Sequence, residues 1–206
     1  MISLFIDTSA SDVSIAVIKD DVVLSLITEN IPNKHSVYTT SFIDKSLRKA
    51  NLKPDDIDKI MVVNGPGSFT GVRIGVTIAK TYAYLLKKDI ICISSLKMMA
   101  ISNNHEYCLS LIDAHHDNYY LGLYDKNNNE VIEEQFNSKD KVMEIIDNYN
   151  PTIVSDNDIK IDNIEVKKVQ LDVEKIVNYY KDYEALNCHL VVPNYLKLPQ
   201  AMEVNK

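Results

Sequence analysis

Ile6-Asp7, followed after a short polar turn by Val13-Ser14-Ile15-Ala16-Val17-Ile18, has an echo 106 residues further on, where Ile112-Asp113 precedes Tyr119-Tyr120-Leu121-Gly122-Leu123-Tyr124. Each copy reads as two strands of a hairpin, because apolar runs of this length bounded by turn residues fit half-buried or buried β-structure. Each is followed by a polar turn and a third strand, Val22–Ile27 in the first copy and about Glu130–Gln135 in the second. The aligned acids, Asp7 and Asp113, close the first strand of each copy.

Outward from the first copy, a helix is predicted from about Lys34 to Ala50, with Tyr38, Phe42, Ser46 and Ala50 on one stripe and Ile43 and Leu47 alongside. A buried strand follows at Ile60–Val63, then a helix over Gly71–Leu86, a strand at Ile90–Ile93 and a helix from Ser94 or Ser95 to Ser102. The order β-β-β-α-β-α-β-α is that of a ribonuclease-H-like half. Its duplication predicts an α/β, actin/Hsp70-like (ASKHA) fold with one subdomain over residues 1–103 and a second over 104–206. Two full halves need far more chain, so the second is expected to be truncated. After the second hairpin, the pattern gives a helix at 139–149, a strand at 152–155, a helix around 172–186 and an extended tail at Pro193-Asn194-Tyr195-Leu196-Lys197.

A net charge of −7 argues against autonomous nucleic-acid binding, since phosphate neutralisation needs a basic face. The three cysteines, Cys92, Cys108 and Cys188, stand far apart and fit reduced thiols. No apolar run approaches the roughly 20 residues of a membrane span, and the start lacks a basic leader, so a cytoplasmic protein without membrane contact is expected.

The stretch richest in chemistry is Asn64-Gly65-Pro66-Gly67-Ser68-Phe69-Thr70-Gly71-Val72-Arg73-Ile74-Gly75, between a strand and a helix. Glycines permit a sharp turn and close backbone approach, and Ser68 or Thr70 can cap the helix. As a phosphate loop it is defective: Val72 stands where a Walker loop has lysine, and the glycine spacing is G-x-G-x-x-x-G rather than the dinucleotide pattern. Beyond it Gly71, Gly75, Ala79 and Ala83 recur every four residues. Such a stripe admits another backbone closely, either the chain's own sheet or first helix, or a second subunit that also meets Tyr38 and Phe42.

The run Gly65–Gly75, GPGSFTGVRIG, closely resembles the signature of the TsaB family, also called YeaZ. The resemblance extends to Phe5-Ile6-Asp7-Thr8-Ser9, His35-Ser36, Ser94-Ser95-Leu96, Asp113-Ala114 and Pro193-Asn194-Tyr195-Leu196. Val37 and His115 depart from it, where the family commonly has an acidic residue and an arginine. The resemblance implies an accessory, non-catalytic subunit that partners a TsaD-like catalytic subunit in forming N6-threonylcarbamoyladenosine at position 37 of tRNAs, together with a TsaE-like ATPase. It also implies that ATP, magnesium and tRNA belong to the assembled complex and that this chain alone binds no cofactor; its resting state is a monomer or a homodimer. The residues implied for the motif and partner surface are Gly65, Pro66, Gly67, Ser68, Phe69, Thr70, Gly71, Arg73, Gly75 and Ala79, with His35, Tyr38 and Phe42.

For catalysis the residues offer little. Asp7, Thr8 and Asp113 are weak candidates for nucleotide or magnesium contact, because Ala10-Ser11-Asp12 replace a phosphate-admitting glycine. His115 and His116 are adjacent and no HxxxH or HExxH pair exists, so no metal site is expected. Two other readings stand beside the accessory one: a stand-alone nucleotide-dependent enzyme of the actin-like ATPase or kinase class, and a peptidase using Ser9 or Ser68.

Overall fold

The computed structural model describes residues 1–103 and 105–197. The described residues fold into two compact units, the first made of residues 1–95 and 172–193 and the second taken from 96–171 and 194–197.

The first unit carries β1 (Ile2–Asp7), β2 (Asp12–Lys19), β3 (Val22–Asn30), α1 (His35–Lys49), β4 (Lys59–Gly65), α2 (Phe69–Leu86) and β5 (Ile90–Ser94). Its sheet runs β3-β2-β1-β4-β5, with the first three strands an antiparallel meander and β1, β4 and β5 parallel. Central β1 is covered on both faces, which is why Leu4, Phe5 and Ile6 form an unbroken apolar run at 0% exposure. One face packs Leu4, Ile6, Val13, Ile15 and Val17 against Ile43 and Leu47 of α1 and Val72, Val76, Ala79 and Ala83 of α2.

The buried stripe of α1 is His35, Thr39, Ile43, Ser46 and Leu47. The expected Tyr38–Phe42–Ser46–Ala50 stripe is therefore rotated: Tyr38 is exposed, Phe42 only partly buried, and their rings stack at 5.9 Å on the helix flank. Thr39 can lie inside because its hydroxyl donates back to the His35 carbonyl (2.6 Å), while Ser46, common to both stripes, reaches Ser25 of β3 (2.9 Å).

The second unit carries α3 (Ser95–Ile101), β6 (Tyr107–Asp113), β7 (Asn118–Asp125), β8 (Glu130–Ser138), α4 (Lys139–Tyr149), β9 (Thr152–Ser155) and β10 (Lys167–Lys168). The expected boundary after residue 103 is corrected here, because α3 sets Leu96, Met99 and Ala100 against Cys108, Ile112, Tyr124 and Val154 of this unit. The sheet order, β10-β9-β6-β7-β8, repeats that of the first unit. Truncation falls at the far edge: β10 has two residues, and the segment 156–166 between β9 and β10 contains no helix.

The duplication holds with one slip. β2 and β7 correspond at the offset of 106, and their odd-numbered residues face the helices in both units. In the first strand, however, Ile6 pairs with Ile15, whereas Leu121, the counterpart of Ile15, pairs with Leu111. The equivalent of Ile6 is thus Leu111, and that of Asp7 is Ile112. A one-residue shift turns every side chain to the opposite face, so Asp113 is not the partner of Asp7 that the ungapped alignment suggested.

After the second unit the chain returns to the first as α5 (Val173–Tyr180), whose Asp172 side chain accepts from the Lys175 amide. The helix ends before the expected Leu186, because Leu186 is drawn out to bridge β5, exchanging hydrogen bonds of 2.9 and 2.8 Å with Ile90. Among the described residues no helix is long and apolar enough to cross a membrane.

Candidate functional site

The glycine loop, the Asp7-Thr8-Ser9 turn and the start of α1, read separately in the sequence, converge at the upper edge of the first sheet. β1 and β4 are parallel neighbours, so the turn after β1 and the loop after β4 emerge side by side. Gly65 ends β4 at φ 113°, a conformation that suits glycine. Ser68 caps α2, its hydroxyl accepting from the Gly71 amide at 3.2 Å.

The loop lies directly on the turn. Ser68 amide donates to the Ser9 carbonyl (2.8 Å), and Thr8 hydroxyl donates to the Gly71 carbonyl (2.7 Å). Ser9 amide and hydroxyl both donate to one oxygen of Asp7, at 2.8 and 2.7 Å. His35 Nε2 contacts the Ala10 carbonyl at 2.9 Å, and Ser95 hydroxyl donates to the Pro66 carbonyl. Ser95 thus ties down the loop, where the sequence suggested a helix cap. Asp7, Thr8, Ser9 and His35 are all buried.

The glycines are explained by this closeness. A Cβ at Gly67 would fall under 3.0 Å from the Ser9 carbonyl, one at Gly71 under 3.0 Å from the Thr8 carbonyl, and one at Gly75 under 3.0 Å from the Thr8 hydroxyl. Ala79 and Ala83 continue the same buried face. The small-residue stripe therefore serves the chain's own sheet, and the expectation that Gly75 and Ala79 offer surface to another subunit is corrected: the space they leave is filled by Thr8 and the β-strands.

Outward, α1 and α2 enclose a groove of about 440 Å³. Ser36 and Thr40 line it from α1; Phe69, Thr70, Arg73, Ile74, Thr77 and Ile78 line it from α2. Ile74 and Ile78 are half-buried, the hydroxyl-bearing residues exposed, and the Arg73 guanidinium sits 3.9 Å above the Phe69 ring. Tyr38 and Phe42 follow the α1 lining residues by two positions each, which is about 160° round the helix; they lie on the opposite flank and not in the groove. Of the motif, then, Gly65, Gly67, Ser68, Gly71 and Gly75 build the knot, while Phe69, Thr70 and Arg73 face out.

Asp113 lies in the second unit as the exposed last residue of β6, where it accepts from the His115 amide (2.8 Å) and its other oxygen is 3.5 Å from His115 Nδ1. Among the described residues no group of three or more His, Cys, Asp or Glu could hold a metal ion. Sequence reasoning missed Ile74, Ile78 and Thr77 as groove residues; their spacing beside Arg73 was the available signal.

A family model described as TsaD, tRNA N6-adenosine threonylcarbamoyltransferase, matches residues 26–177. The tRNA threonylcarbamoyladenosine biosynthesis protein TsaB of Bacillus subtilis (strain 168) is 30% identical, over 98% of this chain and 96% of its own length. Two solved structures share the fold. A Pseudomonas aeruginosa protein described as uncharacterized with similarity to peptidase YEAZ has a TM-score of 0.81 at 21% identity, and YeaZ from the same species a TM-score of 0.76 at 20%. Both alignments cover 95% of this chain and 99% of the other.

Proposed function

The chain belongs to the TsaB (YeaZ) family, within the wider family whose model carries the TsaD name, and from that premise we propose that it is a non-catalytic, activating subunit that docks a TsaD-type subunit through the α1/α2 groove. The family takes part in making threonylcarbamoyladenosine on tRNA; the finer assignment rests on the geometry of the loop.

The observation that carries it is the closure of the glycine loop on Thr8 and Ser9. In a nucleotide-binding member of this fold such a loop must leave room and free amides for phosphate. Here the Ser68 amide is bonded to Ser9, the Gly71 amide to Ser68, and the Asp7 carboxylate to Ser9. These residues do not fit a magnesium-nucleotide, so ATP and magnesium are assigned to the assembled complex, along with a TsaE-type ATPase and tRNA. Beside the closed loop, the exposed product of the motif is an apolar-floored groove carrying one guanidinium, a surface suited to a protein partner.

The test is reconstitution with purified components. The chain alone is expected to turn over no ATP and to transfer no threonylcarbamoyl group from threonylcarbamoyl-adenylate to tRNA; the TsaD-type subunit of the same organism should bind it, and transfer should appear on mixing. Calorimetry of the isolated chain with ATP and magnesium supplies the opposing outcome: micromolar binding lost in Gly67→Val, with turnover to match, would establish a stand-alone nucleotide enzyme instead.

A further inference from the structure

We propose that the partner surface does not end at the groove but runs along the outer face of α2 onto a strap formed by residues 187–192, with Leu190 and Val192 as apolar anchors for the docked TsaD-type subunit. This rests on the docking reading above. A stable interface takes roughly 20–30 residues a side, whereas eight residues line the groove, so the contact must extend, and the exposed apolar side chains set its direction.

Tyr84 follows Arg73 by eleven residues, three helical turns, and so shares its outward face within about 20°. It is 65% exposed, and Leu85 beside it is 70% exposed. Next to Tyr84 comes the strap: the His189 ring stands edge-on to the Tyr84 ring at 5.9 Å. The strap is held from beneath. Cys188 and Val191 are buried, Lys80 Nζ of α2 donates to the Val191 carbonyl (2.8 Å), and Asn64 Nδ2 donates to the Val192 carbonyl (3.1 Å). The Asn187 side chain accepts from the His189 amide (3.0 Å) and its carbonyl from the Leu190 amide (2.9 Å), closing a tight turn.

On this pinned backbone Leu190 is 69% and Val192 63% exposed. Two large apolar side chains held rigidly outward, beside an exposed tyrosine, lose little conformational freedom on being covered, which is what makes an anchor effective. The opposite direction, past α1, offers Val37, 65% exposed, but on the same helical face as the Asp44–Arg48 ion pair, and then the far flank that bears Tyr38 and Phe42. The strap runs back alongside α2, from His189 beside Tyr84 near the helix C-terminus to Val192, which Asn64 at the end of β4 holds, so the proposed surface spans the length of α2 from the Phe69–Arg73 pair to Tyr84 and is flanked by Leu190 and Val192.

The experiment measures the affinity of the full chain for the TsaD-type subunit of the same organism, by calorimetry, for wild type, a groove variant Thr77→Arg and a strap variant Leu190→Asp/Val192→Asp. Each substituted residue is exposed, and unchanged thermal melting certifies the fold; a variant that melts low is replaced by Leu190→Ser/Val192→Ser. Wild-type binding, weakened about tenfold or more by both the groove and the strap variants, establishes the strap as part of the surface. Wild-type binding that the groove variant weakens but the strap variant leaves unchanged overturns the strap proposal and leaves the docking reading intact. Wild-type binding that neither variant alters overturns both placements, and no wild-type binding overturns the docking reading itself.

Discussion

Thr8 is the residue on which the motif turns. Its carbonyl blocks a side chain at Gly71, its hydroxyl blocks one at Gly75, and the same hydroxyl holds the Gly71 carbonyl. The two glycines should respond differently to alanine. At Gly71 the obstacle is backbone, so Gly71→Ala should destabilise by about 2 kcal/mol or more. At Gly75 the obstacle is one hydroxyl, so Gly75→Ala and Thr8→Ala should couple: the double variant should cost less than the two singles together, by about 1 kcal/mol, in urea unfolding. Asp156, at the end of β9, offers a pH test. Burial raises its carboxyl above the ordinary value, with weaker opposition from hydrogen bonds to Ser155 and Asn157. As pH rises, the unfolded carboxyl releases its proton first, the native state holds more protons, and stability falls across that interval. Asp156→Asn should therefore raise the melting temperature at pH 7, with the advantage vanishing as pH falls below 4. Residues of this kind separate what could be read from the chain from what could not. GPGSFTGVRIG announced a tight loop, but Thr8 and Ser9, against which it closes, stand 58 or more positions away (67 − 9 = 58 for Gly67 and Ser9) and leave no local mark.

At the level of elements, the periodic segments were legible and the faces less so. Helices at 35–49 and 139–149 and strands at 2–7 and 152–155 fall where apolar spacing put them. Apolar content on α1 favours Tyr38 and Phe42, whereas the buried face also takes His35 and Thr39, polar groups whose partners are the Ala10 and His35 carbonyls. α5 was overestimated because Tyr183 and Leu186 continue its apolar pattern, yet pairing with Ile90 claims that stretch as extended chain. Helix ends carry a prediction of their own. α2 closes on Lys87 at φ 54°, and the next amide reaches back to the Ala83 carbonyl at 2.9 Å. A left-handed residue in this position favours glycine, so Lys87→Gly should stabilise the protein by about 0.5–1 kcal/mol in thermal or chemical unfolding.

Over the whole molecule, the duplication was visible in a hairpin echo, and the structure carries it in two sheets with one strand order. The slip between β1 and β6 was invisible, because an alignment of apolar letters does not register which face each one takes. It shows how far the halves have diverged. Asp7 is bound into a buried knot, while Asp113, one position out of register, stands exposed at the tip of β6. The division of the chain could not be read at all, since the return of residues 172–193 to the first unit is a tertiary event.

That return has a bearing on how the polypeptide is made. Translation delivers the first 95 residues early, but the stretch that supplies α5, covers the β5 edge through Leu186 and fills the places of Cys188 and Val191 leaves the ribosome only after the whole intervening unit has been synthesised. Until then the nascent first half carries an uncapped strand and unfilled apolar sites, the features that invite association with other chains or chaperones. Completion of the first unit thus waits on residues made only after the body of the second.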